Sequence, residues 1–257
     1  MKYNQLKIRQ KQAIAWLIVN RPKKRNALNR ETLSEMHQAL LSLEQDSSVR
    51  VVIITGAGEK AFVAGADIAE LADLTPEEAK DLVLEYNRTV FDYIENFSKP
   101  VIAAVNGYAL GGGLELAMAC HLRIFASTAM VGMPETSLGL IPGYGGTQRL
   151  PQLVGKGRAL EIMLTASMID AQQAYEIGLA NRVCSLSELD KTVEALAHQI
   201  MGNAPEAQTQ LIGAVNAGYE TQTDGFKAEA EAFGACFGTD NFRVGTQSFL
   251  RKQKPKY

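Results

Sequence analysis

No segment of the 257-residue chain limits its fold more than GYALGGGLELAMA, residues 107–119. It follows KPVIAAVNG, an apolar, β-branched run that reads as a buried strand ending in a turn. Each glycine costs a helix about 1 kcal/mol relative to alanine, so three in a row mark a special junction. A helix is expected to begin within Gly111, Gly112 and Gly113 and to run to about Cys120. Its first N–H groups lack intrahelical partners, and the aligned peptide dipoles favour negative charge there. With no Cβ in the way, those amides can approach a ligand closely, which makes an anion or oxyanion site. A tight strand-to-helix turn packed on another element would use the same glycines. Glu115 follows inside the apolar LELAMAC, where a solvated surface acid is not expected.

The segments around this unit set the fold class. Residues 13–20 (AIAWLIVN) and 49–55 (VRVVIIT) read as strands, and LRIFAS and AMVGM as two short ones. Asn29 caps a helix to about Gln45 with Leu33, Met36, Leu40 and Leu43 on one face. Thr75, Pro76 and Glu78 form a capping box that opens a helix to about Phe97. After Gly143 the character changes, and from Lys156 onward nearly everything reads as helix, including one capped by Ser187. Strands with helices, then helices alone, predict an α/β core followed by a helical tail.

Composition narrows the class of partner. Twenty-six basic against twenty-eight acidic residues give a net charge of −2, which argues against nucleic acid as the main partner. No apolar run reaches transmembrane length, and MKYNQLKIRQ has no signal-peptide core, so no membrane association is expected. Cys120, Cys184 and Cys236 are odd in number and widely spaced, which fits a reducing, cytoplasmic compartment. VVIITGAGEKA imitates a dinucleotide turn, but FVAG follows where a long helix should, so a nicotinamide enzyme is not expected. His37, His121 and His198 have no metal-ligand spacing, and no metal site is predicted.

Two further features complete a candidate site. In KAFVAGADIAEL, Gly65 breaks an apolar run and Ala66 and Asp67 open a short helix, leaving the Ala66 amide free to face a ligand; a simple capped helix would look the same. Glu135 lies in the apolar VGMPETSLGLIPG, flanked by Pro134 and Gly139. Two carboxylates in one low-dielectric cleft push their pKa values apart, so one holds a proton while the other is ionised. That arrangement suits acid–base work on a water molecule. Either acid by itself would also serve as a salt-bridged structural residue. The basic turn RPKKRNALN is either a solvated face or a phosphate contact.

NGYALGGGLELAMACHLRI, with AFVAGADIAEL and MPETSLGLIPGYGGTQRLPQLVG, closely resembles the enoyl-CoA hydratase (crotonase) family, and the likeness runs from LIVNRPKKRNALN to SFLRKQK. It implies a spiral of strand–strand–helix units over residues 1–195. It also implies a C-terminal helical region over 196–257 that packs in a homotrimer, often paired into a homohexamer. The implied oxyanion hole is the amides of Ala66 and Gly112, gripping the thioester carbonyl of an acyl-CoA substrate. The implied water-holding acids are Glu115 and Glu135, with the Gly143 amide lining the water site. Coenzyme A contacts map onto Lys24, Arg25, Ala27, Ala64, Asp67 and Ile68, and onto Phe233 and Lys252, the last two often from a neighbouring subunit. No cofactor beyond the coenzyme A thioester is implied. Many members carry glutamine two residues before the second glutamate; Met133 stands there in this chain, with an expected effect on pocket polarity or chain-length preference. Rival readings within the fold are an isomerase or hydrolase of acyl-CoA, and, from another class, a non-catalytic RNA binder.

Overall fold

The computed structural model describes residues 3–257. The chain opens as a hairpin, β1 (Leu6–Lys11) pairing antiparallel with β2 (Ile14–Val19). Only Leu6 of β1 is buried, as suits an edge strand, whereas β2 is buried almost throughout. A basic 3₁₀ turn, Pro22–Lys24, leads to α1 (Arg30–Gln45), which the Asn29 side chain caps by accepting the Thr32 N–H. The apolar stripe of Leu33, Met36, Leu40 and Leu43 faces inward, as its spacing requires.

Three strand–strand–helix units follow. The first is β3 (Val51–Gly56), β4 (Ala61–Val63) and α2 (Pro76–Tyr86), trailed by a one-turn α3 (Asp92–Glu95). The second is β5 (Val101–Val105), β6 (Tyr108–Leu110) and α4 (Gly112–Ala119). The third is β7 (Leu122–Ala126), β8 (Met130–Gly132) and α5 (Gly146–Val154). Then come α6 (Lys156–Thr165), β9 (Met168–Asp170), α7 (Ala171–Glu176), β10 (Arg182–Cys184) and α8 (Leu189–Met201). The helices α9 (Pro205–Ala217), α10 (Gly225–Cys236) and α11 (Asp240–Leu250) end the chain.

Each unit gives its first strand to one sheet and its second to another. The larger sheet has the order β1-β2-β3-β5-β7-β10 and is parallel except at the hairpin. The smaller, β4-β6-β8-β9, is parallel except for β9. The runs VVII and VIAAV are buried on both faces because a parallel sheet is covered on both sides. Alternate residues serve two cores. Leu17, Val52, Ile54 and Ala103 face the interior shared with α1 and α4. Trp16, Ile53, Ile102 and Ile124 face outward, where Leu189, Val193 and Ala197 of α8 cover them. Helix α8 thus belongs to the layered core and crosses the expected 195/196 division.

Several expected elements differ. The helix begun by the Thr75–Glu78 capping box does not run unbroken to Phe97; it passes into a π-helical turn at Asn87–Phe91 before α3. Ser187 is not a cap: the chain makes a 3₁₀ turn at Leu186–Glu188, and α8 starts without a side-chain cap. Ala66 precedes the short helix, which is a 3₁₀ turn, Ile68–Glu70, entered from Asp67. The stretch after Lys156 also contains β9 and β10, each three residues long and too short to show a period of two. No helix among the described residues is long and apolar enough to cross a membrane.

Candidate active site

The site forms where β4, β6 and α4 meet the loops after β4 and β8. The three glycines at the head of α4 each have a separate reason. Gly111 has φ of +49°, and a Cβ there would overlap Glu135 Oε1. A Cβ at Gly113 would strike the carbonyl of Val63, so α4 lies directly on β4. At Gly112 a Cβ would sit 3.5 Å from the Ala66 nitrogen, which shows how near the two backbones come.

The segment holding Ala66 is stitched to the basic turn. Leu28 and Ala66 form an isolated parallel bridge: Leu28 N–H donates to Gly65 O at 2.8 Å and Asp67 N–H to Leu28 O at 2.7 Å. Successive N–H groups of an extended chain point to opposite sides, so the Ala66 N–H faces away from that bridge. The N–H groups of Ala66, Gly112 and Gly143 have no acceptor among the described residues.

The same stitching places most of the expected coenzyme A contacts together. Ala64 N–H donates to Arg25 O at 3.1 Å, joining Lys24–Ala27 to Ala64–Ile68. Arg25 and Asn26 both adopt left-handed conformations, with φ of 49° and 58°. The Asn26 side chain makes this possible: its Nδ2 donates to Ala57 O and Ala61 O, and its Oδ1 accepts from Arg21 N. Lys24, Arg25 and Ile68 are exposed. The Asp67 carboxylate is committed to Arg21 at 2.9 Å, and the Arg21 guanidinium also donates to Ala27 O. Phe233, on α10, is exposed and packs edge-on against Phe237; Lys252 follows α11. Neither makes a hydrogen bond or ring contact with the Lys24–Ile68 region.

Both acids turn inward. Glu115 is 1% exposed, and its Oε1 accepts from Tyr144 N at 2.7 Å and Gly146 N at 2.8 Å. Oε2 has no partner among the described residues. Burial, reinforced by the charge of Glu135, pushes the Glu115 pKa up to about 7 against the pull of the two amides and Arg149. Glu135 opens the 3₁₀ turn Glu135–Leu138; its Oε2 is buried without a partner among the described residues, and burial raises its pKa. Met133 is fully buried, and its methyl group packs where a Cβ on Gly146 would lie, beside Glu115 Oε1.

Sequence reasoning missed the groups that hold the loop at 143–146. Arg149 Nη1 donates to Tyr144 O at 3.0 Å, and its guanidinium is paired with Asp92 at 2.6 Å and Glu95 at 2.7 Å. Asn87 Nδ2 donates to Gly143 O at 3.0 Å, and Tyr144 stacks on Phe91 with centroids 4.6 Å apart. Two of the three histidines are engaged elsewhere, His37 Nδ1 lying 2.8 Å from Thr89 O and His121 accepting from Val101 N while facing Glu95 O, and His198 is exposed on α8.

Comparison with known proteins places this arrangement. A family model described as enoyl-CoA hydratase/isomerase matches residues 9–257. The crotonyl-CoA hydratase of Syntrophomonas wolfei is 45% identical, covering 100% of this chain and 99% of its own. The short-chain-enoyl-CoA hydratase of Clostridium acetobutylicum is 46% identical over 99% of this chain and 97% of its own. Among solved structures, an enoyl-CoA hydratase from Bacillus anthracis superposes with a TM-score of 0.92 at 38% identity, covering 99% of both chains. DspI of Pseudomonas aeruginosa gives 0.94 at 32% identity over 100% and 98%. The chain belongs to the enoyl-CoA hydratase/isomerase family, and its two-sheet spiral is the crotonase fold.

Proposed function

We propose that this site adds water across the C2=C3 bond of a trans-2-enoyl-CoA to give a 3-hydroxyacyl-CoA, and catalyses the reverse dehydration. One observation carries the assignment of groups. Two inward carboxylates flank the head of α4, where the Ala66 and Gly112 N–H groups lie close together without acceptors.

The thioester oxygen sits between those two amides, helped by the positive end of α4. Water oxygen bonds to C3 as the C2=C3 electron pair moves toward the carbonyl, leaving an enolate oxygen. Each preorganised donor lowers the barrier by on the order of 3 kcal/mol. Glu115 Oε1 is tied down by Tyr144 and Gly146, so Oε2 is the atom left to orient the water and take its proton. Glu135 delivers a proton to C2, and the Gly143 amide lines the water site. Lys24, Arg25, Ala27, Ala64, Asp67 and Ile68 form the coenzyme A cradle, with Asp67 acting through its tie to Arg21. Phe233 and Lys252 complete it from a neighbouring copy in a homotrimer or homohexamer.

The test is loss of crotonyl-CoA absorbance with Glu115→Gln and Glu135→Gln. Each substitution is expected to slow hydration about a hundredfold or more, the range of general acid–base groups. Wild-type rates in both variants would refute the assignment.

A further inference from the structure

The helix after Thr75 breaks where it passes the site, and the break aims three contacts at one loop. Asn87, the first residue of the π-helical turn, donates to Gly143 O at 3.0 Å. Phe91, the last, stacks on the Tyr144 ring. Asp92 and Glu95, one helical step further on, hold the Arg149 guanidinium, whose Nη1 donates to Tyr144 O. That loop supplies both N–H groups bound by Glu115 Oε1. It is a poor support unaided, because GYGG has three glycines in four residues and Gly145 has φ of +93°. The carbonyls gripped by Asn87 and Arg149 belong to the peptide groups on either side of Tyr144. The first of these peptide groups carries the Tyr144 N–H and the second the Gly145 N–H, so Asn87 sets the Tyr144 amide directly and Arg149 anchors the peptide that leads to the Gly146 amide.

We propose that Asn87 and Arg149 are positioning residues of the reaction: one carried by the broken helix and the other clamped by it, they hold the Gly143–Gly146 loop so that Glu115 presents one oxygen to water. The inference rests on the assignment of Glu115 given above. Arginine suits the task because its planar fork serves a carbonyl and two carboxylates at once, which a lysine ammonium cannot reproduce. π-Helical turns are frequent at functional sites, and here the turn carries the clamp to its target. The groups facing Glu115 are Glu135 from its 3₁₀ turn, Tyr144 from the loop and Arg149 from α5. Asp92 and Glu95 of α3 face Arg149 in turn, and Arg123 of β7 is engaged with Cys120 O at the far end of α4. Arg149 is therefore the one positive charge acting on this carboxylate from these elements. Its removal is expected to make Glu115 harder to ionise.

The experiment compares wild type, Glu115→Gln, Asn87→Ala, Arg149→Lys and Arg149→Gln in crotonyl-CoA hydration, with folding checked by circular dichroism. Asn87→Ala and Arg149→Lys are expected to lower kcat about ten- to hundredfold, the scale of a misplacement of about 1 Å, with KM within about threefold of wild type. In Arg149→Gln the acid limb of kcat/KM moves to higher pH, a shift that a merely structural role would not produce. If the arginine variants do not fold, Asn87→Ala decides the question through the same kcat-against-KM split. If Glu115→Gln collapses activity but the folded positioning variants keep kcat within about threefold, or lose only KM, or leave the acid limb unmoved, the positioning role is overturned. If Glu115→Gln itself leaves hydration intact, the catalytic assignment falls and takes this inference with it.

Discussion

Glu115 is poised between two protonation states by opposing forces. Burial favours the neutral acid, and two short amide contacts favour the anion; burial wins, and the pKa rises to about 7. The folded chain therefore binds this proton more tightly than the unfolded chain. The stability it contributes is complete below the ordinary carboxylate range and is lost as pH rises through about 7. The melting temperature of wild type relative to Glu115→Gln should accordingly fall between about pH 5 and pH 8, read by thermal denaturation across that series. Gly111 offers a second test at this scale. Gly111→Ala forces an L side chain into φ of +49° and against Glu135 Oε1, and is expected to cost about 1–3 kcal/mol and to reduce kcat. The two glutamates were legible in the sequence because each interrupts an apolar run. Asn87 and Arg149 were not, because their partners lie 56 and 57 residues away and only the fold brings them together.

Elements with a strong local code were legible too. α1 and α2 announce themselves by Asn29 and by the Thr75–Glu78 box, and α4 by the glycines that open it. Thr75→Ala should remove the hydroxyl that accepts the Glu78 N–H and donates to the Glu78 carboxylate, leave the bond from the residue 75 backbone N–H to Glu78, and cost about 1 kcal/mol, lowering the melting temperature by about 2–4 °C in a domain of this size. What local reasoning could not reach were the features made by packing. The break at Asn87–Phe91 has no proline or glycine to signal it; it is held by the contacts of Asn87 and Phe91 with the loop after β8. β6, β9 and β10 are three residues each, and their strand character comes from the neighbours they pair with. The MPETSLG segment reads as a loop from its proline and glycine, yet it closes into a 3₁₀ turn that aims Glu135 inward.

Across the whole molecule, the sorting of successive strands into two sheets lets distant motifs meet. β4 and β6 are neighbours in the smaller sheet, so the loop after β4 and the helix after β6 begin side by side, and Ala66 and Gly112 are adjacent although 46 positions apart. The division between the sheets was legible only as a strand-and-helix rhythm; the pairing that makes it useful is a property of the complete spiral. The terminal helices leave Phe226, Phe233, Phe237 and Phe249 exposed, and the expected role of Phe233 and Lys252 is to serve a neighbour's coenzyme A. On that reading Phe233→Ala and Lys252→Ala raise KM for crotonyl-CoA several-fold while kcat stays close to wild type, and steady-state kinetics checks the split. The tethering of a single Glu115 oxygen by Tyr144 and Gly146 has a consequence for chirality. On the proposed mechanism, a carboxylate that cannot swivel hands its water to one side of a flat substrate, so the alcohol carbon is expected to emerge as one enantiomer.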